Sequence, residues 1–343
     1  FGALQGVESM DPQGETSAAL VLRFERALGT GMIAIEDAAP QKVSGFRLTG
    51  FEPLADSADG FLSDLQALPG RASVLLVPVD AAGLGKPVVA HNPDTPLALG
   101  STFKLYVLSA LLRQIEAGAR DWDDVVPLTA RSFPSGITQD WPEGAPVTLH
   151  TLATLMISIS DNTATDQLIA VLGQDALARE LTLAGNADAA ASLPFLSTRQ
   201  LFAIKTRPEA FRIQYQAADP SARSILLADA EPVALTMDQV EQTFSSDPVS
   251  IGIEWFGSAS DIARLMHRFV ASGDTTALGI PAVSPSLSAT ERQLWDYAGF
   301  KGGSEPGVLN MSWLLRNGSG QWYVATLGWN DPAAPVSATT MEL

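Results

Sequence analysis

The sequence predicts an α/β fold of the α+β kind, in which an antiparallel sheet joins distant ends of the chain and is flanked by helices, with a separate helical lobe. Three observations carry that prediction. An apolar strand pattern over Ser73–Val79 lies more than two hundred residues before two others, Val308–Arg316 and Gln321–Trp329. Those two flank Asn317-Gly318-Ser319-Gly320, whose turn chemistry joins antiparallel neighbours. Between the ends, apolar residues recur at helical spacing, and the order strand, helices, strands closes one sheet from both ends.

Residues 1–66 read as a small N-terminal leader element. An amphipathic stretch runs through Ala18, Leu20, Val21, Phe24 and Leu28, and strand-like alternation follows around Met32–Ile35 and Val43–Phe51. A piece of roughly 60 residues is marginal as an independent domain, so it is expected to pack on the main domain, residues 67–343. There the strand Ser73–Val79 is followed by a Gly/Pro turn, Gly83–Pro87, and a short strand, Val88–His91. A helix comes next, marked by Leu105, Leu108, Leu111, Leu112 and Ile115 and ended by Gly118, which places Ser101 at or beside its N-terminus. A second helix carries Leu149, Leu152, Leu155, Met156 and Ile159, and a third runs from about Thr163 to Leu172 before Gly173.

Composition narrows the function classes. The 343 residues include 21 basic and 38 acidic side chains, a net charge of −17 that repels phosphate backbones, so nucleic acids and anionic membranes are poor partners. The longest apolar stretches fall short of the run of roughly 18 residues that spans a bilayer, so no transmembrane segment is expected. The chain has no cysteine, which removes thiol nucleophiles, disulfides and thiolate metal sites together. A first residue other than Met, Phe1, fits either signal-peptide removal or a trimmed chain, and the expected location is periplasmic or secreted.

Ser101-Thr102-Phe103-Lys104 places a hydroxyl and an amine at i and i+3, on one face of a helix. The positive helix end lowers the cost of an alkoxide, and a crowded lysine loses its proton more easily. Taken alone, the same four residues read as an N-capping serine followed by a surface lysine. Lys104 is, however, one of only five lysines. Ser160-Asp161-Asn162 sits between two helices, where Ser160 suits a proton relay and Asn162 a hydrogen bond to a substrate carbonyl; a helix cap is its plainer reading. Lys301-Gly302-Gly303 precedes the C-terminal hairpin, where the glycines permit close backbone approach and Lys301 depresses the Lys104 pKa and attracts an anion, unless it is a turn with a solvated lysine. The three elements occur once each, in order, at the junctions these roles need.

That set resembles the S-x-x-K, S-D-N and K-T-G signature of class A β-lactamases and penicillin-binding proteins, and segments 100–108, 148–168 and 300–308 are similar to the same family. The resemblance covers roughly residues 70–330. It implies a β-lactamase/transpeptidase-like serine hydrolase that takes small acyl substrates (β-lactam, ester or peptide) without a cofactor or metal. By the same resemblance Ser101 is the nucleophile, Lys104 its base, Ser160 the proton shuttle, Asn162 a substrate ligand and Lys301 the electrostatic anchor. Gly303 and Ser304 complete the substrate-binding set, and the backbone N–H groups of Ser101 and Ser304 form the oxyanion hole.

Three departures bear on activity. Gly302 stands where the family carries a hydroxyl, which weakens the hold on a β-lactam carboxylate. Leu193–Arg199 stands where the family carries its Glu-bearing deacylation loop and offers no carboxylate, so water activation is unassigned. Finally, 141 residues separate Ser160 from Lys301, with extra length expected within 205–253, where Glu209, Glu231, Glu241 and the adjoining Glu254 are candidate replacement bases that read more simply as surface carboxylates. The leading expectation is a weak β-lactamase; an esterase or D-alanyl peptidase-like enzyme comes second, and a non-turnover β-lactam-binding protein or pseudoenzyme is the rival from another class. His91, His150 and His267 read as structural or surface residues, Trp141 as a cleft wall or a buried aromatic, and Arg316 as a hairpin surface arginine.

Overall fold

The structure is a computed structural model that describes residues 2–54, 57–230 and 234–337. It divides into two compact units, with the boundary between Ala67 and Leu68. The first holds an antiparallel meander, β1 (Leu4–Pro12), β2 (Ser17–Phe24), β3 (Ala27–Ile35) and β4 (Val43–Pro53), followed by α1 (Ala58–Ala67). The stretch from Ala18 to Leu28, read in the sequence as one amphipathic run, is split by the turn at Glu25 and Arg26. Ala18, Leu20 and Leu22 are buried at period two, which is the alternation of a half-buried strand.

The second unit begins with β5 (Arg71–Asp80), the short strands β6 (Gly83–Leu84), β7 (Val89–His91) and β8 (Leu97–Ala98), and a 3₁₀ turn, Gly100–Phe103, that leads directly into α2 (Lys104–Glu116). A two-stranded pair follows, β9 (Val125–Pro127) with β10 (Pro146–Thr148). The lobe continues through α3 (Leu149–Ser158), α4 (Asn162–Leu172), α5 (Gln174–Leu183), α6 (Thr198–Lys205), α7 (Glu209–Ala217), α8 (Pro220–Ala230) and α9 (Met237–Thr243). After β11 (Phe256–Gly257), which pairs with β8, come α10 (Ala259–Ser272), α11 (Thr275–Ala282), α12 (Ala289–Arg292) and the final strands β12 (Tyr297–Glu305), β13 (Val308–Arg316) and β14 (Trp322–Asn330). The expected length between 205 and 253 is thus built as helices α7 to α9.

The main sheet runs β12-β13-β14-β5-β6, with β7 also on β5, and every pairing is antiparallel. Trp322 opposes Val79 and Asn330 opposes Arg71, so the far ends of the unit are joined as the strand patterns predict. The Asn317 Oδ1 accepts the Ser319 and Gln321 N–H groups at 3.1 and 3.0 Å, which fixes the hairpin turn. One sheet face packs Leu75, Val77, Val79, Leu314 and Val324 into the same core as α2. Residues Lys104 to Leu112 of α2 are all buried, so this helix lies inside the lobe and not on its surface. Burying each of its leucines contributes roughly 1.5–3 kcal/mol, and that packing fixes the direction in which the start of the helix points. Among the described residues no helix is long and apolar enough to cross a membrane.

Candidate active site

Ser101 lies in the 3₁₀ turn one step before α2, as the position of Gly118 and the leucine spacing predict. The turn is held from behind. Phe103 stacks on Trp255 with ring centroids 3.5 Å apart and planes within 9°, the Trp255 carbonyl accepts the Leu99 N–H at 2.9 Å, and Trp255 Nε1 donates to the Leu196 carbonyl at 3.1 Å. Ser101 itself is half-buried, and among the described residues its side chain has no hydrogen-bond partner.

Ser160 occupies the joint between α3 and α4 at a φ of +57°, a strained conformation for a residue with a side chain. The strain is held by Ser135, whose hydroxyl donates to the Ser160 carbonyl at 2.6 Å and whose own carbonyl accepts the Asn162 N–H at 3.0 Å. Asp161 turns away and caps α4 by accepting the Ala164 N–H at 2.8 Å. Ser160 and Asn162 are left facing Lys104. The buried Lys104 Nζ donates to the Ser160 carbonyl at 2.7 Å, to Ser160 Oγ at 3.0 Å and to Asn162 Oδ1 at 2.6 Å.

Lys301 reaches the same hydroxyl from the sheet. Its Nζ donates to Ser160 Oγ at 3.1 Å and to the Gly302 carbonyl at 2.6 Å. Ser160 Oγ is therefore where three separated motifs meet. Burial and, next, the charge of Lys301 hold the Lys104 ammonium well below the usual lysine range, against the opposing fields of Asp166 and Asp161. Burial alone brings Lys301 down to about 7.

Strand β12 lies at the sheet edge with Gly299, Lys301 and Gly303 toward the core and Phe300, Gly302 and Ser304 on the other face. At Gly303 a Cβ would fall 2.5 Å from the amide nitrogens of both Ser101 and Thr102, and at Gly100, φ +50°, one would fall 2.9 Å from the Ser304 nitrogen. Strand and turn thus touch backbone to backbone, with the Ser101 and Ser304 amides on the two sides of the contact. Gly302 serves a different neighbour: its missing Cβ would lie 2.8 Å from the Phe300 ring, which itself sits on Trp313 at 4.9 Å.

Other candidates separate. Glu209 and Glu241 are exposed, and Glu231 lies outside the described residues. Glu254, read from the sequence as a surface carboxylate, is buried: Lys205 Nζ donates to it at 3.2 Å and also to Glu305. His150 is exposed, His91 bonds Asn92, and His267 bonds the Asp80 carbonyl. Trp141 is half-buried against the core, and Arg316 lies over the Trp322 ring at the end of β13 that pairs with Tyr297, away from Ser304. Sequence reasoning missed Asp166. This buried residue lies one helical turn after Asn162, and the i, i+4 spacing was the available signal.

The model of the β-lactamase enzyme family matches residues 66–243, just over half of the chain. Among solved structures, a β-lactamase from Sphaerobacter thermophilus is 21% identical with a TM-score of 0.56, over 83% of this chain and 91% of its own. A β-lactamase from Francisella tularensis is 11% identical with a TM-score of 0.58, over 83% and 94%. A mutant of PBP-A, solved as an acyl-enzyme complex with penicillin G, is 16% identical with a TM-score of 0.55, over 83% and 90%. No curated protein matches. The fold is that of β-lactamases and penicillin-binding proteins, and the chain belongs to the β-lactamase enzyme family and with it to the serine hydrolases.

Proposed function

We propose that the chain hydrolyses small acyl substrates through an ester on Ser101, with weak β-lactam hydrolysis as the leading activity. The observation that carries this is the convergence on Ser160 Oγ of Lys104 and Lys301, with Ser101 three residues before Lys104 and, among the described residues, without a side-chain hydrogen-bond partner. A lysine whose ammonium is destabilised by burial and by a second lysine is a competent base for a hydroxyl one helical turn away. Ser160 then passes the proton to the leaving group, Asn162 and Lys301 hold the substrate, and the Ser101 and Ser304 N–H groups receive the carbonyl oxygen as it gains charge. Phe300 over Gly302 favours a second reading, in which uncharged esters outrun β-lactams, because an aromatic ring fills the place of a carboxylate-binding hydroxyl.

Intact-mass spectrometry over time, after mixing with a panel of β-lactams and activated esters, tests the proposal. A single acyl adduct should form on the parent chain and vanish in Ser101→Ala, whose melting temperature should stay within a few degrees. Undiminished labelling of Ser101→Ala would move the nucleophile elsewhere.

A further inference from the structure

An acyl-enzyme is cleared by water, and water needs a proton acceptor as it attacks. The ionisation of Lys104 responds to two carboxylates, Asp166 and Asp161. Asp161 is fully occupied: it accepts the Ile137, Thr138 and Ala164 N–H groups and the Thr138 hydroxyl at 2.6–2.9 Å. Asp166 is placed differently. Its Oδ1 accepts the Thr198 N–H at 2.7 Å and the Thr198 hydroxyl at 2.8 Å, and among the described residues its Oδ2 accepts only the Arg199 N–H at 2.9 Å. Thr198 ties the carboxylate-free loop to the Ser160-Asp161-Asn162 segment. Its Oγ1 lies 3.4 Å from the Asn162 carbonyl and 2.7 Å from Ser132 Oγ. Asp166 also lines a cleft of about 620 Å³ with Arg131, Gln174, Ser197 and Arg199, which is ample for water.

We propose that Asp166, acting through the Thr198 hydroxyl, accepts the proton of the water that clears the Ser101 ester, and that the cleft beside it gives this proton a route to solvent. The carboxylate missing from the loop is thus supplied to it by α4. As the water oxygen bonds to the acyl carbon, its O–H bond breaks toward Thr198 Oγ1 and the Thr198 proton passes to Asp166 Oδ1. Collapse of the intermediate breaks the ester C–O bond. Ser101 Oγ takes the hydroxyl proton of the nascent acid, which leaves as a carboxylate, and Asp166 returns its proton to solvent. Burial pushes the Asp166 carboxyl above the usual range against its three hydrogen bonds, which makes it a stronger base than an exposed aspartate.

This inference rests on the Ser101 acyl-enzyme reading, and single-turnover kinetics with a short-chain activated ester, followed by rapid quench and intact mass, separates the two. Asp166→Asn should acylate within about threefold of the parent and deacylate at least ~10²-fold more slowly, so that adduct accumulates. Thr198→Val should slow deacylation in the same selective way, and Thr198→Ser should restore it. Should Asp166→Asn melt early, Thr198→Val, which keeps both backbone donors, decides alone. Deacylation within a few-fold of the parent, or acylation and deacylation falling together as a pinned loop would produce, overturns the proposal. Absence of any Ser101-dependent adduct on the parent chain instead brings down the acyl-enzyme reading itself.

Discussion

Lys301 donates to Ser160 Oγ and to a backbone carbonyl, and no carboxylate is among its hydrogen-bond partners in the described residues. Because burial places its pKa at about 7, it is an ammonium below that pH and loses its charge above it. An anchor for anionic substrates should therefore weaken as pH rises: the KM of a carboxylate-bearing β-lactam should climb between pH 6 and 8, while that of a neutral ester should not. Parallel pH profiles of KM for the two substrates check this, and equal slopes would count against Lys301 as the anchor. At this scale the site was largely legible. Ser101 and Lys104 share a helix face, and Ser160 and Lys301 announce themselves by order and rarity. The i, i+4 spacing could place Asp166 on the face of Asn162 but not show its part, which comes from Thr198, thirty-two residues away, through a hydrogen bond that no local pattern records.

The contact of β12 with the 3₁₀ turn sets where the Ser101 and Ser304 amides, the proposed oxyanion donors, stand, and it depends on two absent side chains. Gly303→Ala would drive a methyl into the Leu99 carbonyl and the Ser101 and Thr102 amides, forcing strand and turn apart. The expected outcome is a folded protein with acylation reduced by about 10²–10³-fold, the scale of a lost oxyanion donor, read by rapid quench beside a melting curve. The helices α2, α3 and α4 and the hairpin β13–β14 follow from periodicity, Gly stops and turn chemistry. The first unit was harder to read. Its β2–β3 turn at Glu25-Arg26 contains no Gly, Pro, Asn or Asp, so the apolar residues on both sides looked continuous. The helices α7 to α9 each bury only one or two residues, too few to impose a clear 3.6-residue pattern on 205–253.

Across the whole second unit, Lys205 of α6 gathers Glu254, which precedes the Trp255 that backs the Ser101 turn, and Glu305, which follows Ser304. Burial opposes its charge, yet the two carboxylates raise the Lys205 pKa, while burial and Glu254 drive Glu305 well above the carboxylate range against the pull of Lys205. Removing the cation by Lys205→Met should cost about 3–5 kcal/mol. The loss should deepen with alkalinity, since Glu305, whose pKa already stands above the carboxylate range, then lacks the cation that lowers it and favours folding only while protonated. Thermal melts at pH 5 and pH 8 check this, and equal losses at both would contradict it. Glu254 read as a surface residue because its partner lies 49 positions away and its own neighbourhood in sequence signals nothing. The register of the sheet has a temporal consequence. Strand β5, near the start of the unit, finds its long partner only in β14, and the turn bearing Ser101 meets Gly303 and Ser304 only when β12 arrives. Such distant pairings close late and slowly. A nascent chain still on the ribosome at residue 290 already carries Ser101 and Lys104, the proposed nucleophile and base, yet it lacks Lys301 and Ser304, and the proposed site is assembled only once β12 has been made.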